Sequence, residues 1–348
     1  MKNIDCHDEM LSYHRERVNL SNGDQKEMHD RRDSGRTRLA TGLTEDGHPL
    51  PKIIASQGSY AMKTMVQDAK SEYDIDDGVY FPKSDLVDAQ GAELTPKAAR
   101  QRVRNALKHD DRLKHDAEVK NNCVRQIYPQ GYHIDVPVYR IINSEDGDKY
   151  ELASADSWVE SDARAVTKWF ADAVKAELKR GEIDSSQLRK ITKLTKKMAR
   201  SRDDWKEKTT SGICLSKLVV DQFVNCLNRD DVALRKTWNA INSALDKSLQ
   251  IIHPVLEGKY LAEDGDSKVK FFHKRLKEQL TELETLDQDG CTKKKALDTW
   301  DKVFNTSYFS NQYDEKDDEY QQSLQSQSPF VVTNGDAAKR DDKGKPFG

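Results

Sequence analysis

The sequence predicts an α+β protein, and three features of its pattern indicate this class. Between residues 52 and 142, apolar and polar residues alternate in short runs, which is typical of half-buried β-strands. From residue 163 to residue 304 the apolar residues recur at intervals of three and four, which is typical of amphipathic helices. From about residue 311 the chain consists mainly of charged residues, Gln, Ser and Gly. We therefore expect a mixed sheet with helices, followed by a helical lobe and a tail.

The chain divides into four expected segments. Residues 1–50 are rich in charge, His and Ser and form an irregular or helical arm that packs on the body of the protein. Residues 51–160 form the α+β core, and residues 161–310 form the helical lobe. Residues 311–348 are expected to be disordered, because this composition cannot bury enough apolar surface to offset the entropy lost on ordering.

Four strands and seven helices are expected in the core and the lobe. The strands cover residues 52–57, 73–81, 123–128 and 132–142. The helices cover residues 96–116, 163–178, 188–205, 213–227, 232–252, 269–286 and 297–304. In the second strand the apolar residues share one face, and the other face carries Asp74, Asp76 and Tyr80.

Composition narrows the class of protein. Charged residues make up 34% of the 348 and hydrophobic residues 36%, so a core can form beneath a strongly polar surface. The net charge is −3, so any site for a polyanion must be a local basic patch. The five cysteines are scattered without C-x-x-C spacing, which predicts reduced thiols and no zinc site. Residues 1–10 do not resemble a signal peptide and no apolar run is long enough to span a membrane, so we expect a cytoplasmic protein without a membrane partner.

Three carboxylates are the candidates for chemistry. Asp74 and Asp76 lie two residues apart in a strand, so both point to one side at a spacing of ~7 Å. Two such charges repel each other unless a cation lies between them, although a solvent-facing D-x-D pair is the plainer interpretation. Asp135 alternates with Ile134 and Val136, so it points away from their buried face. Three carboxylates from two strands are what a two-metal phosphoryl-transfer site requires.

Gly58 and Ser59 precede these carboxylates at a turn between a strand and a helix. Glycine allows the backbone to approach a phosphate closely, and the Ser59 hydroxyl and the amides that follow can donate to its oxygens. Gly-Ser alone is a common turn dipeptide. Its position before the D-x-D pair and the third aspartate is the informative part.

The order of these motifs resembles a known superfamily. Gln57-Gly58-Ser59, the DIDDG-x-Y run of residues 74–80 and the HIDVP run of residues 133–137 are similar to the pattern of polymerase-β-type nucleotidyltransferases. Within that superfamily they resemble the DncV-like branch of the cGAS/DncV-like (CD-NTase) family, over about residues 51–227. The resemblance implies a polymerase-β-like core in residues 51–160 and a helical lobe that closes the nucleotide cleft.

The resemblance also implies roles for individual residues. Ser59 would hold the terminal phosphate of the donor triphosphate, within a nucleotide-binding turn that includes Gln57 and Gly58. Asp74 and Asp76 would ligate two Mg²⁺ ions, for which Mn²⁺ can substitute. Asp135 would bind the metal nearest the acceptor hydroxyl and help to deprotonate it.

A basic helix adds candidates for phosphate binding. Residues 189–208 hold nine basic and three acidic residues, and most of these charges are expected to face solvent. By the resemblance, Lys197 would contact the triphosphate together with Ser211, while Lys193 and Lys196 remain alternatives to Lys197. Arg125 precedes the HIDVP strand, as a basic residue does in the family, and is a further nucleotide-binding candidate.

The function implied is synthesis of a cyclic di- or trinucleotide from ATP with GTP or another nucleoside triphosphate, releasing pyrophosphate, in bacterial anti-phage (CBASS) signalling. One alternative is nucleotide transfer to RNA or protein, although the chain shows no appended RNA-binding module. A second alternative, a non-catalytic binding protein, would be expected to lack one of the three aspartates. Activation by nucleic acid stays open, and Gly348 at the end of the tail is a candidate for ubiquitin-like conjugation to a partner protein.

Overall fold

A computed structural model describes residues 4–67, 73–107, 113, 115–129, 132–144, 147–179 and 187–313. Within these residues, eight strands form one mixed sheet and two form a small hairpin. The strands are β1 (Ile53–Gln57), β2 (Asp74–Pro82), β3 (Glu118–Val119), β4 (Val124–Ile127), β5 (His133–Val136), β6 (Val138–Ser144), β7 (Gly147–Ser154), β8 (Ser157–Glu160), β9 (Ile251–Ile252) and β10 (Tyr260–Ala262).

Helices surround this sheet and make up most of the second half of the described chain. They are α1 (His7–Tyr13), α2 (Asn22–Glu45), α3 (Gly58–Ala61), α4 (Pro96–Leu107), α5 (Ala163–Lys179), α6 (Gln187–Ala199), α7 (Asp203–Lys206), α8 (Gly212–Gln222), α9 (Asp230–Leu245), α10 (Ser267–Leu283) and α11 (Lys293–Phe304). A π-helical segment, His14–Val18, continues α1. The predicted class, a mixed sheet with helices followed by a helical region, is confirmed.

Strand β2 is the centre of the sheet. One edge pairs with β1 in antiparallel register, and the other edge pairs in parallel with β5 and then with β6. Strands β3 and β4 continue the sheet beyond β5, and β7 and β8 continue it beyond β6, all in antiparallel register. The carboxyl-bearing part of β2 therefore lies between β1 and β5.

Two large apolar clusters hold the described chain together, beside a small one of Tyr80, Tyr139 and Ile141. The first lies between one face of the sheet and helices α2 and α4, which cross so closely that a Cβ on Gly42 would lie 2.2 Å from the carbonyl oxygen of Ala106. The second lies among α6, α8, α9, α10 and α11, and α1 contributes Met10 and Tyr13 to it. The amino-terminal helices thus contact both clusters. No helix in the described ranges combines the length and apolar character needed to cross a bilayer.

Several predicted boundaries are wrong. The described part of α4 is Pro96–Leu107, and Leu113, His115 and Asp116 are not helical, so the predicted helix does not reach residue 116. The strand expected at residues 132–142 is two strands, since Pro137 has no amide hydrogen for a ladder bond. The helix expected at 188–205 ends at Ala199, and that at 232–252 ends at Leu245. Strands β7 and β8 were not predicted.

The tail is described only at its beginning. Ser310–Gln312 form a 3₁₀ turn, and Phe309 and Tyr313 pack against the helical cluster. Residues 314–348, including Gly348, lie outside the described residues, so the predictions of disorder and of conjugation there stay predictions.

Candidate functional site

Four polar residues lie side by side across four strands of the sheet. In the register, Gln57 of β1 lies opposite Asp76 of β2, Asp76 lies beside Asp135 of β5, and Asp135 lies opposite Arg125 of β4. Residues paired in this way point to the same face of a sheet. The structure therefore brings together the predicted carboxylates of two strands, with a cation at the end of the row. We call these four residues the polar row.

Gly58 lies directly against the polar row. Its backbone has φ of 63°, and a Cβ at this position would be 2.3 Å from Oδ2 of Asp76. A side chain here would thus require both an unfavourable backbone conformation and displacement of the carboxylate. The partly buried Ser59 follows in α3, where its carbonyl oxygen accepts a hydrogen bond from the amide of Thr64 at 2.8 Å.

Asp76 is the carboxylate most affected by its surroundings. Burial raises its pKa, and the charges of Asp135 and Asp74 raise it further, whereas Arg125 lowers it, with a net value of about 7. The carboxylates are therefore near enough to repel one another. Such a cluster binds a proton or a cation more readily than an isolated aspartate does.

Asp135 is held by Arg125 through two hydrogen bonds. The Arg125 Nε donates to Oδ1 and Nη2 donates to Oδ2, both at 2.7 Å, and the Asp135 residue is buried. This bidentate pair raises the pKa of the Arg125 guanidinium well above its usual range. The predicted nucleotide contact of Arg125 is therefore, in this structure, a contact with the third carboxylate.

Asp74 lies at the exposed start of β2. Its side chain is 58% exposed, and its Oδ1 lies 3.1 Å from Nδ1 of His133, the residue beside it in β5. Among the described residues, no three His, Cys, Asp or Glu side chains are grouped tightly enough to hold a metal ion. In addition, both oxygens of Asp135 accept hydrogen bonds from Arg125.

The predicted lysine region contains a buried amine. Lys196 of α6 donates from Nζ to Oγ1 of Thr64 at 2.8 Å, and its side chain lies against Gly212 at the start of α8. Burial, and then Arg200 and Lys193, lower its pKa to about 7. Lys197 instead donates to the carbonyl oxygen of Gln67 at 3.0 Å. Of the two neighbours, Lys196 is the one placed between the turn after α3 and the start of α8.

Ser211 and Gln57 both have structural contacts. Ser211 caps α8, because its hydroxyl accepts a hydrogen bond from the amide of Cys214 at 3.3 Å. The buried Gln57 side chain donates to the hydroxyl of Tyr139 and accepts from that of Tyr80, each at 3.1 Å. Both polar atoms of the Gln57 side chain are thus used inside the fold, and the nucleotide contact of Gln57 stays a prediction.

Sequence reasoning missed a network on the opposite face of β2. Arg36 of α2 donates from Nε and Nη2 to the two oxygens of the buried Asp77 at 2.7 and 2.6 Å. The hydroxyl of Ser56 donates to Asp77 at 2.9 Å and accepts from Arg36 at 3.2 Å. One signal was present in the sequence: a carboxylate on the apolar face of a strand needs a buried cation.

Comparison with known proteins bears on this geometry. A family model described as "Cyclic GMP-AMP synthase DncV-like, nucleotidyltransferase domain" matches residues 52–139, the segment that contains the whole polar row and the Gly58 turn. This segment therefore resembles a DncV-like nucleotidyltransferase domain. The resemblance noted in the sequence motifs is thereby confirmed.

Known proteins are similar to this chain in sequence or in fold. A cyclic GMP-AMP synthase of Escherichia albertii is 24% identical over 230 residues, which cover 64% of the chain and 48% of that protein, so the match spans about half the length of this relative. Vibrio cholerae DncV in complex with the linear intermediate 5′-pppA(3′,5′)pG is 17% identical with a TM-score of 0.65, covering 86% of this chain and 96% of the other. CdnG of Bradyrhizobium diazoefficiens in complex with GTP is 15% identical with a TM-score of 0.68, covering 88% and 97%. The predicted polymerase-β-like fold is confirmed.

Proposed function

We propose that this chain is a metal-dependent nucleotidyltransferase that joins ribonucleoside triphosphates, ATP with GTP or another, into a cyclic di- or trinucleotide and releases pyrophosphate. The observation that carries the proposal is that the Gly58 turn lies against Asp76, which is paired with Asp135 on the neighbouring strand. A phosphate-binding turn and a carboxylate cluster in contact are the two parts that phosphoryl transfer needs.

The carboxylates supply the charge and the oxygen atoms that a divalent cation binds. Asp74, Asp76 and Asp135 carry three negative charges when ionised, and Arg125 supplies one positive charge. Burial, and then the charges of Asp135 and Asp74, raise the pKa of Asp76 to about 7. Carboxylate oxygens that repel one another in this way are suitable ligands for Mg²⁺ or Mn²⁺. Bound there, two such ions would neutralise the phosphates and lower the pKa of the attacking hydroxyl.

The surrounding residues would bind and orient the triphosphate. Ser59 and the amides after Gly58 would hold its terminal phosphate, in a turn that contacts the carboxylates directly. Lys196 has a buried amine that a phosphate would keep protonated, because an adjacent anion favours the charged form. Arg125 would exchange its contact with Asp135 for one with substrate. Ser211 and Lys197 would add contacts from the helical lobe, residues 161–310, as that lobe closes over the core.

Relatives support the cyclic product. The Escherichia albertii relative is a cyclic GMP-AMP synthase, and the Vibrio cholerae relative binds a linear intermediate that joins A to G. We propose that this chain likewise makes a linear intermediate and closes it in the same site, in the cytoplasm, as a signal in anti-phage defence. Phage plaque counts on bacteria that express the wild-type locus or its Asp76→Asn form would test the defence role, and equal counts would contradict it.

The decisive experiment for the activity uses isosteric carboxylate variants. Purified wild-type protein, Asp76→Asn and Asp135→Asn would each be incubated with Mg²⁺ and the four ribonucleoside triphosphates. Products would be treated with phosphatase and identified by mass spectrometry. The matched control is Asp148→Asn, since Asp148 is an exposed carboxylate on β7 of the same sheet.

We expect a phosphatase-resistant cyclic product from the wild type and from Asp148→Asn. We expect at least about a 100-fold lower rate from Asp76→Asn and Asp135→Asn, corresponding to about 3 kcal/mol of lost transition-state stabilisation. Linear, phosphatase-sensitive products would point to transfer onto RNA or protein ends instead. Equal rates in all four proteins would remove the polar row from the mechanism.

A further inference from the structure

A large cavity lies behind the Gly58 turn and does not include the polar row. Its volume is about 1210 Å³, and its wall comes from α1, the π-helical segment, α2, α3 and the start of α6. Ligand pockets commonly measure ~300–1,000 Å³, so this cavity can hold a molecule of at least nucleotide size. Neither Ser59 nor any of the three candidate metal ligands is among its twenty wall residues.

The wall of this cavity is strongly basic. Of the twenty wall residues, none is Asp or Glu and seven are basic, namely Arg15, Lys26, Arg32, Lys63, Arg189, Lys190 and Lys193. The whole protein has a net charge of −3, so this concentration of one sign is local. A concave surface lined by one sign of charge raises the local concentration of ligands of the opposite sign.

Several of these cations have no carboxylate partner among the residues that the structure describes. Within the described chain, Arg15 pairs with Glu16, Arg32 with Asp33 and Lys190 with Asp230. No described carboxylate lies within 4.0 Å of the charged atoms of the other four, which are Lys26, Lys63, Arg189 and Lys193. Burial, and then Arg189, lower the pKa of Lys193 to about 8, which an anion nearby would reverse.

His14 provides a second, independent observation. It lies in the cavity wall, is 9% exposed, and its buried Nε2 has no hydrogen-bond partner among the described residues. The amide nitrogen of Asn19 lies 3.5 Å from its Nδ1. An amide nitrogen only donates, so Nδ1 accepts and Nε2 carries the hydrogen. A buried N–H without an acceptor is costly, and an oxyanion in the cavity would satisfy it.

The apolar part of the wall limits the ligand further. Leu11, Leu20, Met28 and Met65 line the cavity, together with Tyr60, whose ring Arg32 overlies at 5.7 Å. We propose that this cavity is a second ligand site, which binds a small molecule with two or more anionic groups on an aromatic or aliphatic body. The anionic groups, phosphate or carboxylate, contact the lysines, the arginines and His14, and the body covers the apolar wall.

The test uses a probe of this chemistry. The dye 4,4′-bis(1-anilinonaphthalene-8-sulfonate) has two sulfonates on an aromatic body and becomes fluorescent in such sites. It would be titrated into the full-length protein in EDTA, so that metal-mediated binding at the carboxylates does not contribute. Competition with tripolyphosphate and with citrate would then separate a phosphate ligand from a carboxylate ligand.

Matched variants locate the site. The cavity variant is Lys26→Ala/Lys63→Ala/Arg189→Ala, and the control with equal charge removed is Lys236→Ala/Lys274→Ala/Lys295→Ala, three exposed lysines on α9, α10 and α11. Ser59→Ala tests the triphosphate turn. Hydrogen exchange of the wild type with and without tripolyphosphate gives a measurement that needs no variant.

We expect dye affinity to fall at least about tenfold in the cavity variant and to change less than about twofold in the control and in Ser59→Ala. We also expect the bound anion to protect amides of His14–Val18 from exchange. Equal losses in the two triple variants would overturn the proposal, because only net charge would then matter, and so would protection confined to residues 58–61. The result does not depend on nucleotide transfer, so a failure of the proposed function would be seen separately.

Discussion

Strand β2 holds two neighbouring aspartates on opposite faces, and the fold treats them differently. Asp77 faces α2. Arg36 of α2 and Ser56 of β1 donate three hydrogen bonds of 2.6–2.9 Å to its carboxylate. Asp76 faces the other way, against Gly58, beside Asp135 and near Asp74. Burial, and then Asp135 and Asp74, raise its pKa to about 7, and Arg125 acts against this rise.

The difference separates a structural carboxylate from a candidate functional one. A buried charge that only stabilises a fold is matched by a cation of the fold itself, as Asp77 is. A buried carboxylate placed among other carboxylates reduces the stability of the fold, because the charges repel each other. Such an arrangement is typical of a site that binds a ligand. Gly58 sharpens the contrast, because the space beside Asp76 depends on the absence of a single Cβ.

The largest expected effect comes from filling that space. Gly58→Ala should lower the rate of nucleotide transfer at least about 100-fold, since its Cβ would lie 2.3 Å from Oδ2 of Asp76 and displace the carboxylate. The measurement is product formation by mass spectrometry under saturating nucleotide. The control is Gly91→Ala, because Gly91 also has a positive φ, 84°, but has nothing within 4 Å of the added Cβ. Comparable losses in both variants would attribute the effect to backbone strain alone.

The next effect concerns the structural face. Asp77→Ala should lower the free energy of unfolding by about 2–3 kcal/mol, because it leaves Arg36 and Ser56 without their shared acceptor. Urea unfolding of Asp77→Ala, Arg36→Ala and the double variant would give the coupling energy. Asp172→Ala, which removes an exposed i,i+4 pair with Lys168, should be indistinguishable from the wild type. A coupling energy near zero would show that Asp77 and Arg36 do not stabilise each other.

The sequence predicts much of this site because the deciding pattern is local. Period-two alternation in β2 assigns Asp74 and Asp76 to one face, and the same rule orients Asp135 in β5. The helices of the lobe are predicted for the same reason, since their apolar stripes recur every three to four residues.

What was missed depends on pairing between distant segments. The contacts Arg36–Asp77 and Arg125–Asp135 follow from strand and helix placement, which no single segment specifies. Strand β7 was missed because Tyr150 and Leu152 give it only a short apolar face among polar residues. Helix α2 was expected only loosely, since it packs through Gly42 rather than through a wide apolar stripe.

The smallest expected effect concerns Asp76 and is measured as a change in stability rather than in activity. The native fold raises the pKa of Asp76 to about 7, whereas an aspartate in the unfolded chain has an ordinary pKa of 3.8. Between these values the native state binds more protons, so its stability falls as pH rises. Asp76→Asn cannot lose this proton, and we expect it to be about 1–2 kcal/mol more stable than the wild type at pH 8 in EDTA, and equal to it near pH 4.

Thermal and urea unfolding at pH 4, 6 and 8 would measure this difference, with Asp148→Asn as the exposed control. Addition of Mg²⁺ at pH 8 should then stabilise the wild type and leave Asp76→Asn unchanged, because only the ionised cluster gains from a cation. If Asp76→Asn were less stable than the wild type at pH 8 in EDTA, Asp76 would be a structural carboxylate like Asp77. Asp76 and Asp77 would then contact different residues but would both serve to stabilise the fold.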